Sequence, residues 1–226
     1  MPAQLVKLQS APDLVDQVYQ VLHDAISDGS LAPGERITQE EIAEKLAVSR
    51  QPVLQALRLL KQDRFVLDAP GRGLLVAPLD VNGMIHAYQV RASLDALAAR
   101  LAASRRVRLD PKLIEQGRKA ARSRNVKAMI EADVAFHEAI YAASQNPVIG
   151  ESARHLWRHL RRMMGALLQE SGQRDAVWNE HEAIARAIAA GDGDRAARQI
   201  ERHSQQASEH LAARLTEVLK TQGVQA

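Results

Sequence analysis

From Leu14 onward, apolar residues recur at helical spacing. Leu14, Val18, Val21, Leu22, Ala25 and Ile26 share one face, and Asp13 is placed to cap the helix N-terminus. Gly29 ends that helix and Pro33-Gly34 makes a turn. Thr38 followed three residues later by Glu41 predicts a capping box on a short second helix, whose apolar face is Ile42, Ala43 and Leu46. Ala47-Val48 forms a tight corner, and Ser49 caps a third helix running to about Gln62. Pro52 falls in its first turn, where a missing N–H costs little. Two apolar runs, Phe65-Val66-Leu67 and Leu74-Leu75-Val76, then bracket Pro70-Gly71-Arg72-Gly73. That spacing predicts a β-hairpin with a glycine turn. Two short helices joined by a tight corner and followed by a hairpin form a winged helix-turn-helix.

Past Asp80 the pattern lengthens. Ala- and Arg-rich amphipathic segments with few β-branched residues succeed one another, as in a helical bundle of roughly six helices. The boundary falls near 78–81. The chain therefore divides into an N-terminal winged helix-turn-helix (10–78) and an all-α domain (79–226), a mainly α fold with one small β-hairpin wing. The ends, 1–9 and 221–226, are expected to fray.

Composition removes several classes of function. The 226 residues contain no cysteine, which excludes disulfides, thiolate metal sites and a thiol nucleophile. No apolar run reaches the roughly 18 residues of a membrane span, and no signal-peptide core is present, so the expected location is the cytoplasm with no membrane partner. The formal charge of +3 is divided unevenly. Residues 1–78 carry 8 basic and 10 acidic side chains, a net of −2; the remainder carries 22 and 17, a net of +5. Overall charge thus says nothing of DNA binding by the N-terminal part, and a local patch has to.

Such a patch exists. Between Ser49 and Gln62 stand Arg50, Arg58 and Lys61 and no acid, whereas the preceding helix carries Glu40, Glu41 and Glu44. Ser49, Arg50 and Gln51 at the helix start suit base edges and phosphates in a major groove. Arg72, between Gly71 and Gly73 at the wing tip, suits a narrow minor groove.

The stretches Leu31-Ala-Pro-Gly-Glu-Arg-Ile, Glu41-Ile-Ala-Glu-Lys-Leu-Ala-Val-Ser-Arg-Gln-Pro-Val and Ala56-Leu resemble the winged helix-turn-helix of GntR-family bacterial transcription regulators. The resemblance covers 14–77, and the rest of the chain is similar to the helical effector domain of the FadR-like (FCD) class. It implies contacts to operator DNA from Ser49, Arg50, Gln51 and Gly71; Arg58 and Arg72 are added from charge and position. Two departures stand out. Leu54-Gln55 replaces the Arg-Glu that usually comes after Pro-Val, and Glu40 occupies a commonly basic position.

The histidines sort by periodicity. On the helix around 125–144, Val126, Ile130, Ile140 and Ser144 form a stripe, and Asp133 and His137 lie within about 20° of its centre at 100° per residue. His181 falls in the stripe Val177, Ile184 and Ile188, and His203 on the face Ala196, Ile200, Ala207 and Leu211. Polar groups on buried faces need partners. Separate core histidines, each hydrogen-bonded to a neighbour, satisfy that need; so does a divalent metal held by one carboxylate and three imidazoles. The resemblance selects the metal, because Asp-x-x-x-His, then His181, then His203 is similar to the metal-binding FCD pattern. Zn²⁺, Ni²⁺, Mn²⁺ and Fe²⁺ all fit this donor set, Zn²⁺ and Ni²⁺ somewhat better. His155 and His159 share a cationic face with Arg158 and Arg162, read as solvated, while Leu156, Leu160, Met163 and Leu167 form the core stripe. His210 is the spare candidate ligand.

Arg91, four residues before Asp95, is either half of a surface ion pair or, as the resemblance implies, the guanidinium that fixes a ligand carboxylate near the metal. The expected function is a dimeric, ligand-responsive regulator: it binds double-stranded operator DNA and senses a small carboxylate effector beside the metal. The alternatives are a metal-dependent enzyme carrying a DNA-binding module and a regulator with a purely structural metal. His-Glu-x-x-His is not completed at either His-Glu pair, since Tyr141 and Ala185 stand at the fifth positions.

Overall fold

The computed structural model describes residues 14–123, 125–167 and 174–221, and the expected Asp13 cap and both frayed ends lie outside them, apart from position 221. The chain forms two compact units, Met1–Pro78 and Leu79–Ala226.

In the first unit, α1 (Leu14–Ser27) buries Val18, Leu22 and Ile26 and packs on the third helix, α3 (Arg50–Gln62). Gly29, at φ +85°, and the Leu31 N–H, which donates to the Ala25 carbonyl, turn the chain away. β1 (Arg36–Ile37) leads into α2 (Gln39–Lys45), where the Thr38–Glu41 capping box forms in both directions. Ala47, at φ +52°, makes the corner. Ser49 then stands at the N-cap of α3 in extended conformation but makes no side-chain cap hydrogen bond. β2 (Val66–Asp68) and β3 (Leu74–Val76) pair antiparallel, Leu67 opposite Leu75. The wing is a three-stranded sheet in the order β1-β3-β2. β1 adds to the expected hairpin, because two residues are too short for a period to show. Val53, Ala56, Leu60, Phe65, Val66 and Val76 are almost wholly buried at the centre of this unit.

In the second unit, six helices are seen among the described residues: α4 (Val81–Ser104), α5 (Lys112–Ser123), α6 (Val126–Ser144), α7 (Pro147–Leu167), α8 (Arg174–Ala190) and α9 (Gly193–Thr221). α4 packs most extensively on α9 and also meets α6, α7 and α8. Its buried alanines Ala96, Ala98, Ala99 and Ala102 share a core with Ala196, Ala197 and other apolar residues. Small side chains let the helix backbones approach closely, so α4 runs through the core rather than over it. That placement excludes one of the two readings of Arg91, a surface ion pair with Asp95: both are buried, at 1% and 0% exposure. On α7, Arg162 is buried at 4% rather than solvated, and Trp157 takes a core position while Leu156 is only half-buried. His155 is exposed and His159 is half-buried.

Candidate functional site

The N-terminal unit presents Ser49, Arg50 and Gln51 on the exposed first turn of α3, with Arg58 exposed two turns on. Seven residues separate Gln51 from Arg58, which places them within about 20° on the helix wheel. The unbonded Ser49 hydroxyl and the first N–H groups of α3 are available to an anion. Arg50 Nη1 stands 3.4 Å from Glu40 Oε1, and the Arg50 carbonyl accepts from Gln39 Nε2 at 2.8 Å. Lys61 is tied to Asp68 of β2 at 2.6 Å. At the wing tip, Gly71 and Arg72 are exposed, and Arg36 holds the turn in shape. Its Nε donates to the Arg72 carbonyl at 2.9 Å and its Nη2 to the Pro70 carbonyl at 3.0 Å. Gly73, at φ +89°, lies so close to β1 that a Cβ there would meet the Ile37 carbonyl oxygen at 2.9 Å. Gly73 belongs to the glycine turn read from the sequence, but its close approach to β1 and the bracing by Arg36 carry no signal there, because both depend on β1.

In the helical unit, Asp133 and His137 of α6 converge with His181 of α8 and His203 of α9. One ligand atom from each lies within 4.8 Å of all the others, and all four residues are buried. His181 Nε2 is 3.2 Å from His203 Nε2 and 3.4 Å from Asp133 Oδ1. Atoms bound to one metal at about 2.0–2.1 Å lie roughly 3 Å apart, so these separations suit a shared ion. The outward nitrogens are held from behind. His203 Nδ1 is 2.8 Å from Glu180 Oε2, and His137 Nδ1 is 3.3 Å from Asp95 Oδ2. A carboxylate facing Nδ1 keeps the proton there and turns Nε2 toward the cluster. Both His137 nitrogens are buried without a hydrogen-bond partner among the described residues, Nδ1 standing at ion-pair distance from Asp95, and a cation at Nε2 would offset part of that cost. Burial, with the neighbouring His203, His137 and Arg91, holds the His181 imidazole well below the usual histidine range, in the neutral form that binds metal. The donor set therefore fits a divalent cation.

Aromatic rings fix the imidazoles. Phe136 stacks on His181 with centroids 4.2 Å apart, Trp178 meets His181 edge-on at 4.7 Å, and Trp157 lies 5.2 Å from His137. Beside the cluster is a cavity of about 490 Å³, whose lining includes Asp133, His203, Arg91, Tyr88, Glu180 and Trp178. The Arg91 guanidinium sits 4.7 Å from the Tyr88 centroid and 4.3 Å from the Trp157 centroid. Its Nη2 donates to Ser204 Oγ at 3.3 Å, while Nε and Nη1 lack hydrogen-bond partners among the described residues. Nε nevertheless stands 3.4 Å from Asp95 Oδ2 as a buried ion pair, so the guanidinium on this cavity wall has Nη1 to offer an anion. Burial opposes ionisation of Asp95, yet the neighbouring His137 and Arg91, with the hydrogen bond from Tyr141, draw its pKa down to about 2. Burial pushes the Tyr88 phenol up to about 12, so it remains a neutral donor. His210 lines the same cavity but is exposed and lies outside the four-residue cluster.

Sequence reasoning missed Asp95, Tyr141, Ser204 and Glu180 as parts of this site. Glu180 adjoins His181 in the chain, which is a weak signal; the other three are recognisable only once α4, α6 and α9 are packed.

The description "Bacterial regulatory proteins, gntR family" matches residues 14–76, and the FCD domain matches residues 86–206. The chain is 26% identical over 204 residues to the HTH-type transcriptional regulator YdhC of Bacillus subtilis, covering 86% of this chain and 89% of that protein. It is 31% identical over 134 residues to the Nta operon transcriptional regulator of Aminobacter aminovorans, an alignment covering 57% of this chain and 63% of the relative. Among solved structures, Escherichia coli McbR/YncC superposes with a TM-score of 0.73 at 23% identity, covering 90% of this chain and 98% of that one. The order of elements is thus that of a known fold, and these relatives are named as regulators rather than enzymes. The chain belongs to the GntR family of bacterial DNA-binding transcription regulators, in the class that carries a C-terminal FCD domain.

Proposed function

We propose that this regulator senses a small organic acid through a metal-containing effector domain and adjusts its hold on operator DNA accordingly. Asp133, His137, His181 and His203 supply the metal ligands, and Arg91 receives the effector carboxylate. The observation that carries the reading is the convergence of the four buried donors beside the cavity that Arg91 also lines. Three imidazoles and one carboxylate leave positions open on a six-coordinate ion, which an organic acid can fill. Ser49, Arg50, Gln51, Arg58, Gly71 and Arg72 form the DNA-facing set, the α3 residues in a major groove and the wing residues beside it. A homodimer places two such units on a two-fold operator. The effector acts by binding one arrangement of the dimer better than another.

The test combines metal content with DNA binding. Purified wild-type protein is expected to retain divalent metal through dialysis, and His137→Ala and His181→Ala to lose it. A panel of small carboxylates is then screened against DNA fragments selected by the protein, with and without metal. An acid that shifts DNA affinity only in the metal-loaded wild type, and fails with Arg91→Gln, supports the sensor. Full metal content in both histidine variants overturns the ligand assignment.

A further inference from the structure

Asp95 is completely buried, and its carboxylate is approached from four directions by four different residues. Oδ2 is 3.4 Å from Arg91 Nε, 3.3 Å from His137 Nδ1 and 3.4 Å from Ser204 Oγ, which donates to it. Oδ1 accepts from the Tyr141 hydroxyl, which in turn accepts from Trp157 Nε1 at 3.1 Å. Trp157 closes the circuit, since its ring lies 4.3 Å from the Arg91 guanidinium and 5.2 Å from His137.

Neutralising Arg91 would need only one face of a carboxylate. Here a single oxygen is shared between the proposed anion receptor and a proposed metal ligand, one on α4 and one on α6. We propose that Asp95 is a positioning residue that couples the two, so that metal and effector bind interdependently through one buried carboxylate. The proposal rests on the metal and effector reading above. An anion bound by Arg91 competes with Asp95 for the guanidinium. The carboxylate is then freer to act on the His137 Nδ1–H, which makes Nε2 a better donor to the metal. Linkage requires the reverse effect, with metal tightening the anion by the same factor. Tyr141 and Ser204 keep the carboxylate in place during this exchange.

Co²⁺ serves as the metal probe and acetate as the anion probe, on the full-length protein. The Co²⁺ affinity is measured by competition with a chromophoric chelator, with and without saturating acetate, and the visible Co²⁺ spectrum is recorded. In the wild type, acetate is expected to tighten Co²⁺ by about fivefold or more. Asp95→Asn is expected to weaken Co²⁺ alone by about tenfold and to reduce the acetate effect to less than about twofold, with a displaced spectrum. Arg91→Gln abolishes the acetate effect while the protein still takes up Co²⁺. Undiminished acetate coupling in folded Asp95→Asn overturns the proposal and leaves the metal and effector reading standing. No Co²⁺ uptake by the wild type overturns the metal reading and the proposal together, and Co²⁺ uptake indifferent to acetate overturns the proposal. If circular dichroism shows Asp95→Asn unfolded, Tyr141→Phe carries the test: it frees Oδ1 while keeping the charge. A reduced coupling factor supports the proposal, and an unchanged one overturns it.

Discussion

The indole of Trp178 occupies the space that any side chain at position 117 would need. A Cβ on Gly117 of α5 would lie 2.1 Å from Trp178 Cη2 and Cζ2. Gly117→Ala has two opposed effects. A helical alanine gains about 1 kcal/mol over glycine, but displacing a ring that is 3% exposed costs about 1–3 kcal/mol. The clash is with the body of a buried aromatic rather than a flexible tip, so a net destabilisation of up to about 2 kcal/mol is expected in urea unfolding. Because Trp178 also braces His181, Zn²⁺ should raise the melting temperature of the variant less than that of the wild type. An equal rise in both would show that the brace does not reach the cluster.

Glu180 faces His203 from the cavity side and is itself part-exposed. Glu180→Gln removes the charge that orients Nδ1–H, so Zn²⁺ affinity should fall about tenfold or more, with little change in metal-free stability. Competition against a fluorescent zinc chelator measures the first and thermal unfolding the second.

The metal-free protein should lose stability in mild acid. The folded-state pKa of His181 is depressed below the ordinary 6.5, so the unfolded chain binds the proton more readily. Its contribution to stability is therefore present above pH 6.5 and declines as the pH falls from there toward the folded value. Urea unfolding between about pH 7.5 and pH 5.5 should show the decline, with His181→Gln flattening it. A slope unchanged in that variant would assign the titration elsewhere.

With Arg50 in the proposed DNA-facing set, its ion pair with Glu40 would compete with DNA. The pair is exposed on both sides, so breaking it should change stability by less than about 0.5 kcal/mol. Glu40→Gln releases Arg50 and removes a negative charge of α2 from beside the start of α3. Fluorescence anisotropy with a non-specific duplex should show affinity rising about two- to fivefold at low salt, the gain shrinking as salt is added. Unaltered affinity would place Arg50 away from the duplex.

The short elements with local signals are legible in the chain. The Thr38–Glu41 spacing announces its capping box, and Pro70-Gly-Arg-Gly between apolar runs announces a hairpin. β1 leaves no trace, because its two residues are recruited to the wing by β3. Asp133, His137, His181 and His203 can be picked out because each is polar within an apolar stripe. Asp95 cannot. On α4 the larger apolar residues Val90, Leu94, Leu97 and Leu101 lie opposite the alanine half, so no face declares itself as core, and Arg91–Asp95 at i, i+4 looks the same on a surface as inside a bundle. Trp178 escapes notice because Val177, which is only half-buried, draws the apparent α8 stripe to its own side.

The chain has two tryptophans, and each stands beside a different histidine of the cluster: Trp157 by His137 and Trp178 by His181. The first unit, Met1–Pro78, has none. Intrinsic tryptophan emission is accordingly a reporter confined to the helical unit and silent on the DNA-binding one. A paramagnetic ion such as Ni²⁺ or Co²⁺ entering the cluster would quench both indoles at once, whereas an acid in the cavity would meet Trp178 on its wall and reach Trp157 through the Arg91 guanidinium that lies against it. The two indoles would thus give the proposed metal and effector an optical readout, without a label and without DNA.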